Sequence, residues 1–151
     1  MLVAEPNIVR TAPSVVPAHI ETVALSTDML APFESFAVDI SYAVGDEKVE
    51  GLLLGVAIKG MDGLHIFGPN TYLERVSIPT SRGSHRVTYT IPSMPLLTGT
   101  YRIDVGLFTD KGLVCVDYLS EVSVFTVAAP YFSEGVVYIS HEWKVHESDA
   151  S

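Results

Sequence analysis

From residue 20 onward, apolar residues fall at every second position in short runs, each closed by turn-forming residues. Along 36–44 the apolar set is Phe36, Val38, Ile40, Tyr42 and Val44, and Val87, Tyr89 and Ile91 repeat that spacing. In the stretch Leu97-Thr-Gly-Thr-Tyr-Arg-Ile-Asp-Val-Gly-Leu-Phe108, Tyr101, Ile103, Val105 and Leu107 share one parity, while Thr100, Arg102 and Asp104 take the other. Successive side chains of a strand point to opposite sides, so each run has a packing face and a face free for other work. Helical spacing appears nowhere at comparable length. The runs 20–26, 36–44, 52–59, 64–67, 86–91, 100–109, 113–118, 122–127 and 136–141 predict about nine short strands. Their connections include Gly45-Asp46, Gly68-Pro69-Asn70, Ser81-Arg-Gly-Ser84 and Asp110-Lys-Gly112, all turn chemistry. Many short strands with frequent turns predict an all-β antiparallel sandwich.

Residues 1–18 carry Pro6, Pro13 and Pro17 without sustained periodicity and read as a linker. Residues 19–146 form the expected sandwich, and 147–151 a disordered tail. A chain of 151 residues fits one domain with a real core. The single cysteine, Cys115, lies in the apolar run Leu113-Val-Cys-Val116 and is expected to be a buried, inert thiol. No apolar run approaches the ~20 residues of a spanning helix, and the N-terminus lacks a charged-then-apolar leader. The domain is therefore expected to be soluble and intracellular. A net charge of −9 argues against nonspecific binding to nucleic acid or anionic membrane, which requires clustered Lys and Arg.

Catalytic signatures are missing. There is no Gly-x4-Gly-Lys-Ser/Thr loop, no Gly-x-Ser-x-Gly elbow and no dinucleotide-binding glycine pattern, so the chain by itself is expected to be neither an ATPase nor an esterase. His141-Glu-Trp-Lys-Val-His146 approximates a zinc-protease motif, but has one residue too many between its histidines and sits at a strand end. No metal or other cofactor is expected. Asp39, Glu74, Asp104 and Asp117 could formally supply a glycosidase pair, but read as solvated outer-face and turn residues. His65, His85 and His141 show no spacing that assigns them chemistry.

The stretch from about Leu52 to Trp143 resembles the C-terminal domain of Wzt, the nucleotide-binding subunit of the ABC transporter that exports bacterial O-antigen polysaccharide. The resemblance rests on ordered segments: Gly55-Val-Ala-Ile-Lys59, Gly63-Leu-His-Ile-Phe-Gly-Pro-Asn-Thr71, Leu97-Thr-Gly-Thr-Tyr-Arg-Ile-Asp-Val105, Tyr118 through Phe125-Thr-Val127, and Gly135-Val-Val-Tyr-Ile-Ser-His-Glu-Trp143. It implies an immunoglobulin-like or jelly-roll sandwich that binds the non-reducing end of a finished glycan and couples chain termination to export. It also implies a binding module rather than an enzyme. In that family an ATPase domain precedes this one, with a membrane subunit as partner. That ATPase domain is absent from these 151 residues, and the lead-in is then a tether. The implied location is cytoplasmic, peripheral to the inner membrane through the transporter. Family members form homodimers, some by exchanging the last strand. Residues 128–135 could serve as its hinge or as an ordinary hairpin return. A purely structural dimerisation or docking module is the alternative function.

Sugar recognition pairs flat apolar surface with planar or charged hydrogen-bonding groups. The polar strand faces supply Asp39 and Ser41, Arg86 and Thr88, and Arg102 and Asp104, with Lys59 ending its own strand; these are the candidate ligand contacts. A guanidinium could grip a carboxylate or phosphate through two parallel bonds, or simply close a cross-strand ion pair. Trp143, the only tryptophan, could stack on a sugar or plug the sandwich end. Asn70 is expected to cap its local backbone.

Overall fold

In the computed structural model, residues 7–8 and 17–147 are described, the first pair by backbone alone. The strands are β1 (Asn7–Ile8), β2 (Ala18–Leu25), β3 (Met29–Leu30), β4 (Phe36–Val44), β5 (Leu53–Gly60), β6 (His65–Phe67), β7 (Gly83–Ile91), β8 (Gly99–Thr109) and β9 (Val114–Val127). They form a four-stranded sheet in the order β1-β2-β4-β7 and a five-stranded sheet in the order β3-β9-β8-β5-β6. All pairings are antiparallel except β3 with β9. The fold is all-β, as the alternation requires.

The sandwich core is the set of apolar residues of one parity. Val38, Ile40 and Tyr42 from β4 face Val56 and Ile58 from β5 and Ile103, Val105 and Leu107 from β8, all buried in one cluster with Phe36 and Phe125. The Phe125 ring lies between those of Phe36 and Tyr101, at centroid distances of 4.6 and 5.4 Å. Tyr42 keeps its hydroxyl satisfied at the core rim by donating to the Pro79 carbonyl at 2.7 Å.

Several expectations are corrected. The segments 113–118 and 122–127 are one strand, because the break between them is a bulge: Glu121 has φ 52°, and the β8–β9 register slips between Ile103 and Val105 without the chain turning back. Residues 136–141 form no strand, only an isolated bridge between Val137 and Leu96, with the Leu97 N–H donating to Val136 at 2.7 Å. The lead-in contributes β1, which pairs Asn7 with Val23, while the tail at 148–151 lies outside the described residues. Cys115 is exposed, since its part of β9 sits beyond the short β3 at the sheet edge, where nothing covers it among the described residues. Asp117, expected in solvent, is buried on the inner face. There it accepts the Ile20 N–H at 2.8 Å, a donor freed by the β2 bulge between Ile20 and Thr22.

Candidate functional site

The predicted contact residues fall on two outer faces that look away from each other. On the four-stranded sheet, β4 and β7 run in continuous register, placing Asp39 opposite Thr88 and Ser41 opposite Arg86. Asp39 accepts from Arg86 Nε at 2.8 Å and from Thr88 Oγ1 at 3.1 Å. The hydrogen bond from Arg86 holds the Asp39 carboxyl below the ordinary carboxylate range. These groups satisfy one another across the strands, and the outward positions beside them are small, with Ala37 and Ala43 on β4 and Ser84 and Thr90 on β7.

The five-stranded sheet is different. Lys59, Arg102 and Asp104 lie on its outer face, Lys59 directly opposite Arg102. Asp104 was expected to be solvated, yet it is only 2% exposed. The bulge at Glu121 causes this, because it turns a backbone N–H toward the carboxylate, which accepts it at 2.7 Å. The other Asp104 oxygen accepts the Tyr118 hydroxyl at 2.6 Å and pairs with Lys59 Nζ at 3.0 Å. Burial pushes the Asp104 pKa up, but the bonds from Tyr118, the Glu121 N–H and Lys59 outweigh it and keep the carboxyl below its ordinary value. Burial, and then the bond to Asp104, push the Tyr118 hydroxyl up to about 12. Tyr118 is thereby fixed as a donor toward Asp104, leaving its oxygen lone pairs for another donor. Beside it Arg102 pairs with Glu121 at 2.6 Å and packs its Nε against Met61 Sδ.

Next to Asp104 the sheet is hollowed. Gly55 on β5 stands opposite Gly106 on β8, which stands opposite Tyr118 on β9, so one row of the outer face carries two missing side chains and then a ring. A Cβ on Gly106 would fall 2.6 Å from Phe108 and 2.8 Å from Tyr118; its absence lets the two rings close over the glycine, edge to face at 6.1 Å. The result is an open hollow of about 170 Å³ lined by Ala57, His65, Pro69, Asn70, Asp104, Phe108 and Tyr118 among others. Asn70 caps its local turn as expected, with Oδ1 accepting the Leu73 N–H at 2.8 Å. That bond orients its side chain and leaves the amide N–H groups as donors.

Trp143 neither plugs the sandwich nor joins this face: it is 89% exposed and stands edge to face with His141 at 6.1 Å. Sequence reasoning named Lys59, Arg102 and Asp104 here but missed His65, Phe108 and Tyr118. The available signal was the matched outer-parity glycines Gly55 and Gly106, which mark where a sheet surface is cut away. Among the described residues no group of His, Cys, Asp and Glu is placed to hold a metal ion, and no helix is long and apolar enough to cross a membrane.

A family model described as the Wzt C-terminal domain matches residues 18–139. Among solved structures, the chain is similar to a crystal structure of the C-terminal domain of Wzt, with a TM-score of 0.79 at 17% identity, covering 97% of this chain and 99% of that one. A CARDB domain from Pyrococcus furiosus aligns over 73% of this chain and 89% of its own, at 15% identity and a TM-score of 0.45. No curated protein matches the chain.

Proposed function

The chain belongs to the Wzt C-terminal domain family, a non-catalytic family associated with the O-antigen ABC exporter, and from that premise we propose that it binds the non-reducing terminus of an O-antigen polysaccharide and so couples chain termination to export. In this reading it works on the cytoplasmic side, tethered through a linked ATPase domain to the membrane subunit.

The observation that supports it most directly is the hollow on the five-stranded sheet. It offers what a sugar ring requires: aromatic surface from the edge-to-face pair Phe108 and Tyr118 for C–H contact, and convergent polar groups around a floor of small residues. Asp104 is the organiser of this site rather than a ligand contact, since its oxygens are already engaged by Tyr118, Glu121 and Lys59. The groups left to meet hydroxyls are the Tyr118 oxygen, the remaining Lys59 protons and the Asn70 amide. Asp39, Ser41, Arg86 and Thr88 face the other way and take no part.

Calorimetry of the domain with capped and uncapped forms of the polysaccharide made by the source bacterium tests the proposal. The capped form is expected to bind and the uncapped form to bind weakly; equal or undetectable heats would contradict terminal recognition. Tyr118→Phe removes one hydrogen-bonding oxygen and keeps the ring, so it is expected to weaken binding about three- to tenfold.

A second role, dimerisation, has its own support. Beyond Gly135 the chain places Val137, Ile139, Trp143 and Val145 at alternating positions, and all four are exposed, from 44% to 91%. That is the pattern of a strand without a sheet. In the proposed homodimer this segment pairs with the other copy, by exchange or by side-to-side addition.

A further inference from the structure

On the far side of Pro69 and Asn70 lies a second hollow of about 240 Å³ at the open edge of the sandwich, between β5, β7 and the 69–76 segment. Val56, Pro69 and Asn70 line both hollows, so the two are neighbours separated by a narrow wall. We propose that this edge hollow is a second saccharide subsite, taking a neutral pyranose unit that follows the terminal one, so that the domain reads a length of glycan rather than its end alone. The inference rests on the sugar-binding reading above.

The lining decides the ligand class. Tyr89 presents a half-buried ring flanked by Val87 and Val76, an apolar bed for the C–H face of a sugar. Burial, and after it the charge of Glu74, push the Tyr89 hydroxyl up, and both residues line the hollow. Among the described residues Glu74 makes no ion pair, so its oxygens are acceptors for sugar hydroxyls. An uncompensated carboxylate repels acidic units, which makes a neutral sugar the fitting occupant. The Asn70 amide completes the polar rim. The geometry also supplies the path: Asn70, pinned through its Oδ1, can donate to a unit on either side of the wall.

The probes are non-reducing-end fragments cut by mild acid from the source bacterium's own polysaccharide and sized to one unit or to four. Wild-type domain is expected to bind four units at least tenfold more tightly than one. Tyr89→Ala and Glu74→Gln are each expected to remove about tenfold from the four-unit affinity and leave the one-unit affinity unchanged. Tyr89→Phe, which keeps the ring, is expected to stay within about threefold of wild type, which separates ring stacking from disturbance of the fold. Equal wild-type affinity for both lengths overturns the second subsite while leaving the first intact, as does equal loss for both fragments in Tyr89→Ala. If neither fragment binds wild type, the sugar-binding reading itself falls, and this inference with it.

Discussion

Asp104 shows how much one carboxylate can organise when the backbone around it is bent to suit. Its two oxygens collect a hydroxyl, an ammonium and a backbone N–H from three positions on neighbouring strands. Replacing it by Asn removes the charge that holds Lys59 and one acceptor, at an expected cost of about 1.5–3 kcal/mol at pH 7. The pH dependence has a definite sign. The folded-state pKa lies below the ordinary value of 3.8, so the native state favours the ionised form; the stabilisation is fully present above that value and is lost as pH falls through the lower, folded one. Urea unfolding should therefore show a gap between wild type and Asp104→Asn that is widest near neutrality and narrows below about pH 4. A gap constant from pH 7 to pH 3 would mean that the charge on Asp104 contributes nothing.

At the scale of the element, the site exists because β8 and β9 depart from regularity at two adjacent places, the glycine row and the bulge. Gly106→Ala tests the first. The atoms nearest the added methyl belong to the Phe108 and Tyr118 rings, both on the outer face, and they can swing outward. The expected loss of stability is therefore modest, about 1 kcal/mol, at the low end for overpacking. Sugar binding should nevertheless fall by tenfold or more, because Tyr118 leaves Asp104 and the hollow fills. Unchanged affinity in a folded Gly106→Ala domain would remove the hollow from the mechanism. The same two irregularities mark what could be read from the sequence. Alternation sorted Tyr101, Ile103, Val105 and Leu107 to the core and Arg102 and Asp104 to the other face, because parity is a local property. It could not show that Asp104 is buried, since that depends on which strand lies beside it and on a bulge whose only trace is the plain pair Ser120-Glu121. For the same reason 113–127 reads as two strands and folds as one.

Across the whole molecule, parity told which side chains point outward but not which outward faces coincide, and the Arg86 and Arg102 faces are on opposite sheets. That leaves the four-stranded face and the C-terminal segment for roles other than holding the sugar. The segment gives an unusually clean assay for the proposed dimer, because Trp143 is the chain's only tryptophan and is 89% exposed in a single copy. Within that copy the segment is tied to the sandwich mainly at its start: Val136 packs on the core, Leu97 and Tyr138 make backbone bonds, and ring contacts run from Phe33 and Phe132 through Tyr138 to His141. Burial of the segment against a second copy should shift tryptophan emission to shorter wavelength as protein concentration rises, in step with a doubling of mass in sedimentation. Deleting residues 136–147 removes little of the single-copy core, so the shortened domain should stay folded, run as a monomer and keep its glycan affinity if the sugar hollow belongs to one copy. Solvent-exposed emission at every concentration, or a dimer that survives the deletion, would assign the association to another surface. Loss of glycan binding together with the dimer would instead show that the hollow is completed only in the pair.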